Sequence, residues 1–300
     1  MSNLSNIRVM VAIVTYNGED YIEDCLKSII TKSNVQIHVL DNNSRDDTVD
    51  IIKENYPSVY LTQSTENLGF GKANNALLEL ACQKGMDYVF LLNQDAYFIE
   101  DCLDNLLISA QKQGDQIYSP IHLKNDELTL DEGFSSYTFG GRKYNKLDFV
   151  NAAAWLIPIS IIRRVGGFSP LFFHYGEDRD YANRVRFHGH HFSIIEDAKL
   201  VHNREQKRWV NNKENRIQFS NRFYINLLRY YTDINSGLIT CVFVATKNTL
   251  GDFVTQLFAG KWRLGFRNFG MYFKCFPQFG TILECRKRAK VANGVFLELP

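Results

Sequence analysis

Apolar and polar residues alternate over the first 120 residues in short blocks whose spacing switches between that of strands and that of helices. Continuous apolar or β-branched runs predict buried strands, whereas apolar residues recurring every three or four positions predict amphipathic helices. The predicted strands are 8–15, 35–40, 59–62, 88–92 and 116–119. The predicted helices are 18–33, 45–55, 71–84 and 100–113. This alternation predicts an α/β protein whose mostly parallel central sheet is flanked by helices.

The second half of the chain changes its pattern near residue 205. Residues 122–148 are polar and contain glycine, which predicts a loop or hairpin insertion. Apolar residues return at 149–158, and a helix at 177–187 and a strand at 192–195 follow. A helical pattern then runs from Lys213 to about Lys290. We therefore predict a domain at 1–205 and a helical C-terminal extension at 206–300.

The charge balance differs between these two parts. The net charge of the chain is only +1, which gives no reason to expect a nucleic-acid partner. Residues 236–300, however, hold nine basic and three acidic residues among many aromatic ones. Basic amphipathic helices of this kind are typical of a peripheral membrane surface, and a homodimer interface or a lid on the core is an equal alternative.

The six cysteines form no Cys-x-x-Cys pair, which predicts free thiols in a reducing compartment. The N-terminal apolar run 9–14 is too short for a signal peptide, and the run 238–245 is too short to span a bilayer. We therefore expect a cytoplasmic location, with a peripheral contact to the membrane as an open alternative.

Polar residues follow three of the predicted strands at their carboxyl ends. They read Thr15-Tyr16-Asn17, Asp41-Asn42-Asn43-Ser44 and Asn93-Gln94-Asp95. Asn, Asp and Ser also form turns and cap helices, so one such set alone indicates no more than a turn. The carboxyl ends of parallel strands lie side by side, and ligands bind in the crevice that they form. Three sets together therefore predict a binding site.

Single residues in these sets suit the parts of a nucleotide. Asp41 can accept hydrogen bonds from a pyrimidine base or a ribose, and Asp95 can bind a hard cation on a diphosphate. The glycine-containing turn 67–75 opens a helix, so its backbone N–H groups can face a phosphate. The dinucleotide pattern G-x-G-x-x-G is absent, which argues against a dehydrogenase.

Later residues add candidates for catalysis and metal binding. Asp178 lies in the acidic run 177–180 at the start of a predicted helix, where it can cap the helix or act as a general base. We expect the helix N-terminus to favour its ionised form. His202 ends an apolar run and can be the second protein ligand of a metal within a few Å of Asp95. Trp155 suits either the core or a platform for a sugar ring.

The order of these motifs resembles that of family 2 glycosyltransferases, and more narrowly of their bacterial rhamnosyltransferase-like branch. The resemblance covers about residues 7–205. It implies a GT-A fold, inversion at the anomeric carbon, a nucleoside-diphosphate sugar as donor and a divalent metal, Mg²⁺ or Mn²⁺. We expect dTDP-rhamnose or a UDP-sugar as the donor, and a glycan or lipid-linked glycan as the acceptor.

The resemblance also implies a role for each matching residue. The residues expected to hold the nucleoside are Thr15, Asn17 and Asp41. Those expected to shape the donor pocket are Asn67, Gly69, Lys72 and Asn75. The expected metal ligands are Asp95 and His202. Asp178 would be the general base, with Glu177 contacting the acceptor, and Arg184 would stabilise the helix or the diphosphate.

One departure from the family pattern concerns the metal motif. Many members have Asp-x-Asp where this chain has Asn93 and Asp95, so weaker metal binding is expected. Two other functions stay open: a sugar-nucleotidyltransferase and a non-catalytic nucleotide-sugar-binding module. The first would normally carry a glycine-rich basic loop after strand one, where this chain has the acidic segment 15–20. The second would retain Asp41 and Asp95 without needing Asp178.

Overall fold

A central mixed sheet of eight strands organises the protein, as seen in a computed structural model that describes residues 4–138, 146–203 and 212–299. The strands are β1 Arg8–Thr15, β2 Asn34–Asp41, β3 Tyr60–Gln63, β4 Tyr88–Asn93, β5 Ala96–Ile99, β6 Ile117–Leu123, β7 Ala154–Pro158 and β8 Phe192–His202. Their spatial order is β3-β2-β1-β4-β7-β6-β8-β5. Only β7 and β5 run antiparallel to their neighbours. The prediction of a mostly parallel sheet is confirmed.

Helices cover both faces of the sheet. In the domain around the sheet they are α1 Ile22–Lys27, α2 Thr48–Asn55, α3 Gly69–Gln83, α4 Cys102–Gln113, α5 Glu132–Thr138, α6 Ile159–Val165 and α7 Glu177–Phe187. Because side chains alternate along a strand, Met10 and Ala12 of β1 join the apolar layer under α3, α6 and α7. Val11 and Ile13 join the opposite layer, under α1, α2 and α4. One buried strand therefore links two hydrophobic cores.

The C-terminal region is helical, as expected. Its helices are α8 Asn212–Thr232, α9 Leu238–Phe258, α10 Trp262–Lys274 and α11 Phe279–Ala289. They share a third apolar cluster that includes Leu228, Ala245 and Ile282. The buried Arg286 ties these helices together, since its guanidinium donates to the carbonyl oxygens of Tyr231 at 2.8 Å and Ser236 at 2.8 Å.

The tail after α11 returns to the first domain. Gly167 donates its backbone N–H to the carbonyl of Val295 at 2.9 Å, and Glu298 donates to the carboxylate of Glu79 at 2.9 Å. The proposed boundary at 205 and 206 lies outside the described residues. Among the helices that the structure describes, none has both the length and the apolar character needed to cross a bilayer.

Some predicted elements have different bounds in the structure. The helix expected at 18–33 ends at Lys27, because Asp104 draws the following segment away by accepting hydrogen bonds from Thr31 and from the backbone of Lys32. The strand expected at 192–195 continues to His202 through an irregularity opposite Pro120. The expected loop at 122–148 contains α5, and β5 was not predicted.

Candidate active site

The carboxyl ends of three adjacent strands meet at one edge of the sheet. Thr15 of β1 lies opposite Asp41 of β2, and Val14 lies opposite Asn93 of β4. Parallel pairing in this register places all three polar sets at the same level. The convergence expected from the sequence is therefore present.

The end of β1 is bound to the turn after β4 through Gln94. Its Oε1 accepts hydrogen bonds from Thr15 Oγ1 at 2.5 Å and from the backbone N–H of Tyr16 at 2.8 Å. A methyl group on Gly18 would lie 2.3 Å from the same oxygen, so a side chain there would displace Gln94. Thr15 is fully buried. It therefore holds Gln94 and Tyr16 in place, and these two residues line the cleft.

Asn17 and Asp41 connect the loops that follow β1 and β2. Asn17 adopts a positive φ of 46°, donates its backbone N–H to Ser44 Oγ at 2.9 Å and accepts from the backbone of Arg45 at 2.9 Å. Asp41 is 2% exposed, and its Oδ2 accepts from the backbone of Ser44 at 3.1 Å. Its Oδ1 is buried and has no hydrogen-bond partner among the described residues. An unsatisfied buried carboxylate oxygen is costly, so a donor group would stabilise this atom; Asp41 itself is not among the residues that line the cleft.

A second network joins the loop after β2 to the start of α3. Asn42 donates to Asn67 Oδ1 at 2.9 Å and accepts from the backbone of Leu68 at 2.7 Å. Gly69 donates its backbone N–H to the same Asn67 oxygen at 2.9 Å. At φ +78° Gly69 occupies the left-handed region, and a methyl group there would lie 2.4 Å from the carbonyl oxygen of Phe173. Glycine at this position lets the loop before α7 close against α3.

These elements enclose a cleft of about 370 Å³, which lies within the range of small-molecule sites. Of the residues predicted from the sequence, it is lined by Asn67, Gly69, Asn93 and Asp95. Further lining residues that sequence reasoning did not select as site residues are Tyr16, Asn42, Asn74, Gln94, Phe173 and His174. Most of these lie inside the quoted motifs, so the motif spacing contained the signal. His174 lies exposed in the loop before α7, where partial desolvation lowers the pKa of its imidazole.

Asp95 lines this cleft and lies beside His202, whose side chain is fully buried and is not among the lining residues. Ala96, next to Asp95, pairs with His202 in the antiparallel β5–β8 ladder, and Asn203 donates its backbone N–H to Asp95 at 2.7 Å. The distance from His202 Nε2 to Asp95 Oδ1 is 3.4 Å. Two atoms that each lie about 2.1 Å from one octahedral cation are about 3 Å apart, so this pair fits shared coordination. Within the described ranges no group of three or more His, Cys, Asp or Glu side chains is placed for metal binding.

The acidic residues of α7 begin three positions after His174. Gly176, at φ +91°, precedes the helix, and a methyl group there would lie 2.6 Å from Ile225 of α8. Glu177 is 6% exposed, and burial raises the pKa of its carboxyl from 4.5 to about 8. Its Oε2 has no hydrogen-bond partner among the residues described. Glu177 is therefore neutral over much of the range near pH 7.

Asp178 lies in a different electrostatic setting from its neighbour. Burial raises the pKa of its carboxyl and so opposes the helix N-terminus, which was expected to favour the ionised form. The backbone N–H of Arg179, at 2.7 Å, and the charges of Arg179 and Arg229 act in the opposite direction. Asp178 is thus a carboxyl with raised basicity beside two guanidinium groups that favour its charged form.

The burial of Glu177 can be tested by measuring stability as a function of pH, because its pKa is raised. The folded state holds a proton on Glu177 between pH 4.5 and about 8, where the unfolded state has lost it. Folding stability should therefore fall with rising pH across this window, by up to about 1.4 kcal/mol per pH unit. Glu177→Gln should remove this contribution, so its melting temperature should gain on wild type as pH rises from 5 to 8. If the melting temperatures of both proteins change with pH in the same way, Glu177 is not a buried neutral carboxyl.

Of the predicted site residues only Asn67, Gly69, Asn93 and Asp95 line the cleft, and the contacts of Lys72 and Asn75 lie elsewhere. Lys72 is exposed, with Glu66 as an ion-pair partner at 3.9 Å. Asn75 accepts from the backbone of Phe168 at 2.6 Å and donates to the carbonyls of Phe168 and Phe296. These contacts anchor the C-terminal tail to α3.

Trp155 and Arg184 are core residues. Trp155 is fully buried against Phe192, with ring centroids 5.1 Å apart, so it offers no face to a sugar. Arg184 is 1% exposed and binds Asp180 at 3.0 Å and the carbonyl of Gly167 at 2.7 Å. This corrects the alternative in which Arg184 contacts a diphosphate, and it also leaves Asp180 engaged in an ion pair.

A cleft at the carboxyl ends of parallel strands, lined by Asp95 and by the loop that leads into the acidic start of α7, is the arrangement of an α/β nucleotide-sugar enzyme of the GT-A class. The sequence agrees, because the profile described as "Glycosyl transferase family 2" matches residues 10–168, more than half of the chain. The chain belongs to this family.

Individual relatives in the family include rhamnosyltransferases. The N-acetylglucosaminyl-diphospho-decaprenol L-rhamnosyltransferase of Mycobacterium tuberculosis is 25% identical over 231 residues, 65% of this chain and 75% of that protein. The dTDP-rhamnosyl transferase RfbG of Shigella flexneri is 33% identical over 102 residues, 32% of this chain and 35% of that protein. The glycosyltransferase SunS of Bacillus subtilis is 31% identical over 93 residues, 31% of this chain. This chain covers only 21% of SunS.

Solved structures share the fold at low sequence identity. The mannosyltransferase PcManGT of Pyrobaculum calidifontis, in complex with GDP-Man and Mn²⁺, superposes with a TM-score of 0.59 at 17% identity, over 94% of this chain and 86% of that chain. S. aureus TarS 1–349 in complex with UDP superposes with a TM-score of 0.54 at 14% identity, over 94% of this chain and 80% of that chain. At these identities the similarity establishes the fold.

Proposed function

We propose that this protein transfers a sugar from a nucleoside-diphosphate sugar to an acceptor hydroxyl, with inversion at the anomeric carbon. The observation that carries the proposal is the cleft that is lined both by Asp95 and by the loop leading into the acidic start of α7. A donor seated in this cleft has its diphosphate near Asp95 and its sugar towards α7. One positioned carboxylate is then enough for an inverting displacement, by analogy with the base of inverting glycosidases.

The nucleoside end of the donor would lie where β1 and β2 end. The partnerless Oδ1 of Asp41 offers an acceptor for an N–H of a pyrimidine base or for a ribose hydroxyl. Two relatives are named for rhamnosyl transfer, one of them with a dTDP donor. We therefore favour dTDP-rhamnose as the donor, with a UDP-sugar as the second candidate.

A divalent cation, Mg²⁺ or Mn²⁺, would be held by Asp95 and His202, with Asn93 in the same wall of the cleft. When bound, such an ion neutralises charge on the leaving diphosphate. The chain's own contribution is to fix the two ligands, since β5–β8 pairing sets their separation. The amide at Asn93 supplies less charge than a carboxylate, so binding should depend on the phosphates that complete the shell.

The proton of the acceptor hydroxyl would pass to Asp178. A base works best when its pKa is raised towards the working pH and it is still ionised. Burial raises the pKa of Asp178, while Arg179 and Arg229 favour its charge. Glu177, with a pKa of about 8, can instead donate a hydrogen bond to the acceptor.

The acceptor would be a saccharide, either free or linked to a lipid carrier. The lipid-linked form is favoured by the mycobacterial relative, whose name specifies a diphospho-decaprenol acceptor. We place the reaction in the cytoplasm, at the membrane surface. All six cysteines are buried free thiols, in keeping with a reducing compartment.

Donor recognition is tested by melting temperature and turnover across nucleotide sugars. A true donor should raise the melting temperature and be consumed when an acceptor is added. Asp41→Asn should weaken its binding by about 10- to 100-fold, because a charged hydrogen-bond acceptor is lost. Asp115→Asn is the matched control, since Asp115 lies in an exposed loop before β6, at the other end of the sheet. Binding without turnover for every donor and acceptor would support a non-catalytic binding module instead.

A further inference from the structure

The outer face of the α9–α10 hairpin exposes an unusual amount of apolar surface. On α9 the exposed apolar residues are spaced by three, four or seven positions, so they form one stripe along the helix. They are Ile239, Phe243, Leu250, Val254 and Leu257. The side chain of Phe243 is 66% exposed and that of Phe258, at the end of α9, is 91% exposed. On α10 the exposed stripe comprises Trp262, Phe266 and Phe273. Single exposed apolar residues are ordinary, whereas a continuous apolar face indicates a binding surface.

The charges beside this face have one sign. From 253 to 283 the sequence contains no acidic residue and has the bases Lys261, Arg263, Arg267 and Lys274. At 3.6 residues per turn, Arg263, Arg267 and Lys274 form a stripe directly beside the aromatic one. The nearest acid, Asp252, accepts hydrogen bonds from Asn268 at 2.9 Å and Gln256 at 3.1 Å. Its carboxylate therefore binds amide groups within the hairpin and forms no ion pair with these bases in the described residues.

The tip of the hairpin combines these features in one cavity. A space of about 470 Å³ is lined by Gly260, Lys261, Trp262, Arg263, Leu264 and Arg267. The Arg263 guanidinium lies 5.1 Å from the centre of the Trp262 ring. Three cations around a cavity provide a place for an anionic headgroup, next to aromatic rings of the kind found at membrane interfaces.

We propose that the outer face of the α9–α10 hairpin binds the surface of an anionic lipid bilayer. The aromatic stripes would enter the boundary between headgroups and acyl chains, and the basic stripe would contact lipid phosphates. A second copy of the chain fits this face less well. In a two-fold dimer the same patch meets itself, so its unneutralised bases would face each other.

The proposal goes beyond sugar transfer and depends on no step of it. It assigns the C-terminal helices a task that the cleft does not need, and it would bring the enzyme to a surface where lipid-linked acceptors lie. The test therefore uses the full chain without donor or acceptor. Its failure would refute the membrane surface alone, whereas failure of turnover would refute the transfer alone.

The experiment is flotation with vesicles made of equal parts phosphatidylcholine and phosphatidylglycerol, compared with phosphatidylcholine alone. Wild type should float with the anionic vesicles at low salt, and less at high salt. The double variant Arg263→Gln, Arg267→Gln should reduce partitioning by about 25-fold, since each base near an anionic surface contributes about fivefold. The double variant Trp262→Ser, Phe266→Ser should reduce it by about tenfold or more.

Matched controls carry the same chemical changes away from the hairpin. Lys53→Gln with Lys112→Gln removes two exposed charges from α2 and α4, and Leu128→Ser removes an apolar side chain that is 84% exposed. Both should float like wild type, and the melting temperature of every variant is measured alongside, because Phe266 also packs against Phe253 with ring centroids 5.1 Å apart. Equal flotation of hairpin and control variants would overturn the proposal. So would absence of wild-type binding at low salt, or a dimer in light scattering that only the aromatic variant dissociates.

Discussion

Asp178→Asn is expected to lower kcat by about 10²- to 10⁴-fold, the usual effect of losing a general base. The amide keeps the shape of the carboxyl and can still accept the backbone N–H of Arg179, which lies 2.7 Å from Oδ1. What it loses is the ability to take a proton. Donor affinity should stay within a few-fold of wild type, because Asp41 and Asp95 lie at the strand ends and not on α7. Single-turnover rates and nucleotide-sugar titrations, measured side by side, separate the two effects.

Glu177→Gln is the informative comparison for this prediction. A carboxyl with a pKa of about 8 is largely protonated at pH 7, so replacing it with an amide removes little basicity. Its kcat should fall far less than that of Asp178→Asn, and any loss should fall mainly on KM for the acceptor. If the two variants behave alike, or if Asp178→Asn keeps a rate near wild type, Asp178 is a helix-capping acid and the base lies elsewhere.

The pH dependence offers a second readout of the same base. Because burial raises the pKa of Asp178, the acidic limb of kcat should lie above the range of an ordinary aspartate. Removing a nearby positive charge should raise that pKa further and shift the limb to higher pH. Arg229→Gln makes this change without touching α7. An unshifted limb would show that another group controls it.

Periodicity and strand-end chemistry were enough to predict the sheet and the place of the cleft. A parallel register leaves little freedom, so polar residues that follow β1, β2 and β4 must meet. The proximity of Asp95 and His202 was predicted because both follow predicted strands, whereas the structure produces it through the antiparallel β5–β8 ladder, whose strand β5 was not predicted. The local sequence pattern predicts this geometry because it fixes which residues form strands, and the hydrogen bonds between strands then fix where the strand ends lie.

Side-chain roles that depend on distant segments could not be read from the sequence. Asn75 looked like a donor-pocket residue, yet its partners are the backbones of Phe168 and Phe296. Arg184 is held by Asp180, four positions earlier, and by carbonyls before α7. Any Asn or Arg beside a motif has the same appearance in sequence, because the partner that decides its role comes from tertiary packing.

The charge state of Asp178 shows a related limit. The helix N-terminus is visible in sequence and favours an ionised carboxyl. Burial is not visible there, and it raises the pKa of both Asp178 and Glu177. The opposing charge of Arg229 comes from α8, about fifty positions later. The sequence thus shows the local influences on this carboxyl, whereas its burial and the charge of Arg229 come from packing.

Removal of divalent metal, or Asp95→Asn, is expected to reduce turnover by about a hundredfold or more, because charge on the leaving diphosphate would lose its stabilisation. Asp95 Oδ1 lies 3.4 Å from His202 Nε2, so the carboxylate and the imidazole would share one ion. Asp95→Asn keeps the volume and removes the charge. With an amide already at Asn93, the variant would have no carboxylate in this segment, and added Mn²⁺ should restore little activity.

Binding of the metal itself distinguishes this role from a structural one. Titration of Mn²⁺ in the presence of a nucleoside diphosphate should show weaker binding to Asp95→Asn than to wild type, by about 10- to 100-fold, the range seen when groups that support a metal are lost. Asp115→Asn, which changes an exposed carboxyl at the other end of the sheet, should bind as wild type does. Melting temperatures without metal should be similar for all three proteins. Full activity of wild type after exhaustive chelation, or equal Mn²⁺ binding by Asp95→Asn, would show that the Asp95–His202 pair supports the turn after β4 without holding an ion.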